Sequence, residues 1–102
     1  MSVYMHVTLE VKGAGLQRFL AAMADAKPVL ESAGWELVGA FVQGTGRLNT
    51  VIDLWRLRDM NHYQDAMATV REWSGFPAFK QALDECVLSE TIVFAAKASY
   101  MD

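Results

Sequence analysis

An α+β fold with the order β-α-β-β-α-β is predicted by three observations: a strictly alternating first strand, a glycine-framed hairpin in mid-chain, and amphipathic helical stretches between the strands. In residues 2–11, Val3, Met5, Val7, Leu9 and Val11 fall on one face and Tyr4, His6, Thr8 and Glu10 on the other, the period of two that an extended chain imposes. Gly13-Ala14-Gly15 then breaks the strand. Leu16, Phe19, Leu20 and Met23 follow at the i, i+3, i+4, i+7 spacing of a helix with one apolar face. Pro28 lacks an amide and predicts a kink, with a second helical piece running to Ser32 and stopping at Gly34. Residues 35–42 and the apolar run ending in Asp53, Leu54 and Trp55 form the hairpin arms, with Gly44 and Gly46 placed to supply the positive φ of a tight turn.

The next helix is expected from Asp59 or Asn61, where Asn61 and Gln64 have capping-box spacing and Met60, Tyr63, Met67 and Val70 make the apolar stripe. Ser74-Gly75-Phe76-Pro77 marks a break, and Pro77 suits the first turn of a further short helix with the stripe Phe76, Phe79, Leu83 and Val87. Residues 91–98, β-branched and aromatic, read as the last strand. This is the ferredoxin-like plan: a four-stranded antiparallel sheet with its helices on one face and the first and third strands as central neighbours. The 102 residues are expected to form one domain spanning 1–102.

Composition narrows the function classes. The chain is 53% hydrophobic and 21% charged with a net charge of -3, so it has the makings of a core and no clustered basic face for nucleic acid. No apolar run approaches the roughly 18 residues of a membrane span, and the N-terminus has no basic, apolar leader pattern. One cysteine, Cys86, permits no internal disulfide; with the absence of a leader this predicts a cytoplasmic protein. His6, His62 and Cys86 lack metal-ligand spacing, so no metal and no cofactor are expected. Cys86 is expected as a buried apolar side chain, and His62, at a helix start, to face solvent.

The face of the sheet away from the helices is the part that asks for a partner. Val3, Met5, Val7 and Leu9 are assigned to the helix side, so Tyr4, His6 and Thr8 line the open face. Continuing the alternation into the third strand, Ile52 and Leu54 are assigned to the helices and Val51, Asp53 and Trp55 to the open face. Val38, Phe41, Val42, Ile92, Val93 and Phe94 make the outer strands apolar on both sides. A sheet apolar on both faces needs two covers, and a second copy supplies the second, giving a homodimer with a pocket between the sheets.

Leu48-Asn49, Val51 and Leu54-Trp55, with the preceding Gly39-Ala40-Phe41 and the Gly44-Thr45-Gly46 turn, resemble the signature of the NIPSNAP family within the dimeric α/β-barrel superfamily. The proline at 28 and the segment from Trp73 to Phe79 are similar to that family by pattern. The resemblance implies a homodimeric ferredoxin-like domain with a central pocket and no assigned reaction. Two positions depart from the pattern: Lys12-Gly13-Ala14-Gly15 stands where a Pro-Gly turn is common, and Asp53 where many relatives carry histidine.

The candidate site follows from the face assignment. His6 and Asp53 are placed on neighbouring strands, taken as parallel, and on one face. A carboxylate beside an imidazole fixes its tautomer and makes it a general base. His6 and Asp53 are therefore the catalytic candidates, with Tyr4 and Trp55 as an aromatic wall and Asn49 as a polar rim. The same pair also reads, and more readily, as a buried polar contact that fixes register or the dimer. Three functions remain open: a small-molecule-binding dimer, a cofactor-independent isomerase or monooxygenase acting on a small aromatic or enolisable substrate with His6 as base, and a structural or protein-interaction module with a filled barrel.

Overall fold

The computed structural model describes residues 2–101, so the first and last residues of the expected 1–102 domain lie outside it. The strands are β1 (Val3–Val11), β2 (Glu36–Val42), β3 (Thr50–Leu57) and β4 (Val87–Ala95), and the helices α1 (Leu16–Ser32), α2 (Asn61–Glu72) and α3 (Phe76–Cys86). The sheet has the order β2-β3-β1-β4 with every neighbouring pair antiparallel, the ferredoxin-like arrangement expected. β1 and β3 are central neighbours as predicted, but they run antiparallel, not parallel. β4 begins at Val87, directly where α3 ends, four residues before the expected start.

All helices cover one face. Phe19, Ala26 and Leu30 of α1, Ala66 and Val70 of α2, and Cys86 of α3 are buried against Met5, Val7, Leu9, Val51, Trp55 and Leu57 of the central strands. Phe19 is wholly enclosed, and removing such a ring costs about 3–5 kcal/mol. Cys86 is a buried free thiol that fills space, as expected.

α1 runs unbroken through Pro28. Ala24 and Pro28 are both on the exposed side, so the carbonyl that loses its helical donor is left to water, not to the core. The helix stops where the sequence predicts. Gly34 has φ +99°, its N–H bonds to Glu31 O at 3.0 Å, and Trp35 N–H reaches Leu30 O at 3.1 Å, which together make a Schellman termination.

The β2–β3 connection is longer and looser than a tight hairpin. Its positive-φ residues are Gly46 (φ +72°) and Asn49 (φ +61°), and not Gly44. At the start of α2 the cap is Asp59, whose Oδ1 accepts the His62 N–H at 3.0 Å; the Asn61 to Gln64 box does not form.

Candidate active site on the helix side of the sheet

The phase of β3 decides the site. Val51, Asp53, Trp55 and Leu57 are buried under the helices, while Ile52, Leu54 and Arg56 point to the open face. Asp53 lies opposite Val7 on β1 and Ala40 on β2; His6 lies opposite Leu54 and Val93. Residues directly opposite one another share a face, so Asp53 is on the helix side and His6 on the open side. The expected His6–Asp53 pair is not made, and the expected aromatic wall is divided, with Tyr4 on the open face and Trp55 beneath the helices. The physical reason is a one-residue difference in phase: a period of two sends every side chain of the strand to the opposite face.

His6 is exposed and Tyr4 half-buried on the open face. Asn49 serves the loop: it holds the left-handed turn, its carbonyl accepts the Val11 N–H at 3.0 Å, and its amide lies against Gly13.

Asp53 is 5% exposed in the middle of a central strand. Burial pushes its carboxyl up to about 6, and a hydrogen bond from the Trp55 side chain partly offsets that rise. A carboxyl near 6 is mostly ionised at neutral pH yet takes a proton on slight acidification, as a general base requires.

Two cavities meet at this carboxylate. One, about 220 Å³, lies between α1 and the β2–β3 edge, floored by Val51, Asp53 and Trp55 and reaching the surface at Ala24, Lys27 and Phe41. The other, about 250 Å³, lies under α2 and α3, walled by Trp35, Trp55 and Tyr63 and reaching the surface at Lys80, Asp84 and Glu90. Trp35 meets Trp55 edge-on at 5.5 Å and stacks on Tyr63 at 5.9 Å, and Tyr63 meets Phe94 edge-on at 5.9 Å. The arrangement is an apolar, aromatic enclosure with one ionisable group inside it, suited to holding a flat molecule and exchanging a proton with it. A depression of about 500 Å³ between α1 and α3 has no buried ionisable group; its charged lining residues, Arg18 and Asp25, are exposed, and the rest of it is small, amide or aromatic, such as Ala22, Gln81 and Phe79.

His62 is also buried, at 5% exposed, against the expectation that it faces solvent. Its Nδ1 accepts the Arg58 N–H at 3.0 Å, so its Nε2–H donates to Ala33 O at 2.7 Å, and Trp35 Nε1–H donates to the His62 carbonyl at 3.1 Å. Both ring nitrogens are committed to backbone, which joins the end of α1 to the start of α2. A Cβ at position 34 would sit 3.0 Å from this ring, so packing as well as φ demands glycine there.

Sequence reasoning missed Met23, Lys27, Trp35 and Tyr63 as site residues. The available signal was the ends of β3: the set Thr50, Ile52, Leu54, Arg56 begins and ends polar, whereas Val51, Asp53, Trp55, Leu57 is polar only at its centre. Among the described residues no group of three or more His, Cys, Asp or Glu is placed to hold a metal ion, and no helix is long and apolar enough to cross a membrane.

The family model NIPSNAP matches residues 4–99. A NIPSNAP domain protein from Burkholderia xenovorans, described as uncharacterized, superposes with TM-score 0.79 at 21% identity, covering 100% of this chain and 99% of that one. A NIPSNAP family protein from Agrobacterium tumefaciens superposes with TM-score 0.82 at 20% identity, covering 98% and 96%. SnoaB, a cofactor-independent oxygenase from Streptomyces nogalater, superposes with TM-score 0.72 at 14% identity, covering 99% and 98%. At these identities the likeness is one of fold. No curated protein matches the chain significantly in sequence.

Proposed function

The chain belongs to the NIPSNAP family, and from that premise we propose that it binds a small aromatic or enolisable molecule in the helix-side cavities at Asp53, and not between two sheets. The observation that carries this reading is Asp53 itself, a carboxylate 5% exposed at the junction of two apolar cavities. Burying a charge there costs stability, and such a cost is retained where a ligand uses the group. Asp53 accepts the ligand's acidic proton or its hydrogen bond, and Trp35, Trp55 and Tyr63 hold its ring.

Turnover is the second reading, favoured by the Asp53 carboxyl lying near 6. In it Asp53 replaces His6 as the base and removes a proton from a phenol or an enolisable carbon, giving an isomerase or a cofactor-independent monooxygenase. The fold shared with a cofactor-independent oxygenase supports this as analogy only.

The test is a thermal-shift screen of small aromatic and enolisable acids on wild type, Asp53→Asn and His6→Ala. A ligand that binds the native state raises its melting temperature. Stabilisation kept in His6→Ala and lost in Asp53→Asn is the expected result; the reverse pattern overturns the assignment. Product formation with any hit separates enzyme from binding protein.

The open face is proposed as the homodimer surface. Phe41 and Val93, 57% and 52% exposed, flank Ile52, Leu54 and the exposed His6 there. Sedimentation equilibrium at micromolar concentration should give twice the chain mass, and a monomer would remove the proposal.

A further inference from the structure

We propose that the two cavities at Asp53 are one elongated site partitioned by the Met23 side chain, that Lys27 marks its anion-binding mouth, and that it takes a flat, fused-ring aromatic carboxylate. The proposal rests on the small-molecule reading above and narrows it to a ligand class. Met23, Asp53 and Trp55 are the three side chains that line both cavities. Asp53 and Trp55 are fixed on a central strand, and the Trp55 indole, 2% exposed, is wedged against Trp35. Met23 descends from α1, is only partly buried, and is unbranched with three rotatable bonds, so it is the member of the three that can swing aside.

The volumes give the partition its meaning. At about 220 and 250 Å³, each lobe alone is smaller than the roughly 300 Å³ at which small-molecule pockets begin; joined, they pass it. A single ring fits one lobe, and a fused two- or three-ring system needs Met23 displaced.

The two mouths differ in charge. Lys27 has Glu31 at 3.9 Å, the outer limit of an ion pair, and both are half-exposed. At the other mouth Lys80 is closed onto Asp84 at 2.7 Å, and Glu90 leaves that rim net negative. A carboxylate is therefore drawn to Lys27, with its rings directed toward Trp35 and Tyr63, whose faces suit flat π-systems, and a ring hydroxyl or other acidic donor, where the ligand carries one, meets Asp53 on the way.

The experiment titrates benzoate, 2-naphthoate and anthracene-2-carboxylate at pH 7.5, by calorimetry and by the indole N–H resonances of the 15N-labelled protein. Met23→Ala is expected to raise affinity for anthracene-2-carboxylate relative to benzoate by about tenfold, the scale of a hydrophobic obstruction in a pocket. Met23→Phe, which keeps the core filled, is expected to lower that ratio and remains usable if the alanine variant folds poorly. Lys27→Ala is expected to weaken all carboxylates about threefold while leaving neutral 2-naphthol unchanged, as befits a half-exposed ion pair.

If benzoate moves the Trp55 resonance but the Met23 series leaves the ratio flat, the partition is overturned and the pocket stands. If Lys27→Ala weakens 2-naphthol as much as the acids, the mouth assignment is overturned. If no probe moves any indole resonance in wild type or variants, the small-molecule reading falls and this inference with it.

Discussion

Asp53 and His62 are buried to the same depth, each 5% exposed, yet their surroundings are opposite. His62 sits where three chain segments converge and spends both ring nitrogens on backbone partners at 3.0 and 2.7 Å. Asp53 sits where two cavities converge, and burial holds its carboxyl up at about 6. A buried polar group with every partner in place is a fastener. One that burial has shifted, with only the Trp55 side chain opposing the rise, keeps acceptor capacity for a partner from outside. The difference separates structural from functional polarity without any appeal to residue type, since histidine is the more usual catalyst of the two.

Substitution at each position sharpens the contrast. The largest effect is expected from His62→Ala, which strands the Arg58 N–H and the Ala33 carbonyl. At about 1–3 kcal/mol for each buried group left unpaired, a loss on the order of 4 kcal/mol should appear as a lowered urea midpoint. An unchanged midpoint would remove the fastener role.

Asp53→Asn is expected to act in the other direction. The folded-state carboxyl stands near 6 against an ordinary value of 3.8, so the native state binds the proton more tightly than the unfolded chain. Stability is therefore full below about pH 4 and falls as pH rises through 6, above which the ionised carboxylate bears its whole burial cost. That cost is on the order of 3 kcal/mol at 1.36 kcal/mol per pKa unit. The variant should be more stable than wild type at pH 7.5, and the two should converge below pH 4 in a series of melts. Parallel curves across that range would contradict the buried-carboxylate account.

The smallest effect is expected from His6→Ala on the open face. An exposed imidazole between Leu54 and Val93 should be worth no more than about 0.5 kcal/mol, read as an unchanged melting temperature at concentrations where the protein is monomeric. A loss of several kcal/mol would return His6 to the list of structural groups.

Most of the fold was legible because β1 alternates cleanly and α1, α2 and α3 carry apolar stripes, and those patterns are imposed by one-sided burial. The Gly34 stop was legible for the same kind of reason: a left-handed helix end has few residues that tolerate it. The site was not. β3 is apolar through the middle of both phases, its other polar residues, Thr50 and Arg56, standing only at its ends, and a central acid reads as outward by default. Phase cannot be carried over from β2 either, because β2 shifts register between Leu37 and Gly39 and the connection to β3 is long. His62 was assigned outward from its place at a helix start, although its spacing to Ala66 and Val70 is four residues at each step, the stripe that α2 does bury.

The neighbouring positions of Trp55 and Asp53 on one face of β3 also give the chain an optical property. An indole held rigidly in an enclosed, weakly polarisable space responds to a single charge appearing beside it, since the field there is little screened. Ionisation of Asp53, or its neutralisation by a bound molecule, is thereby written into the emission of a fluorophore the protein already carries.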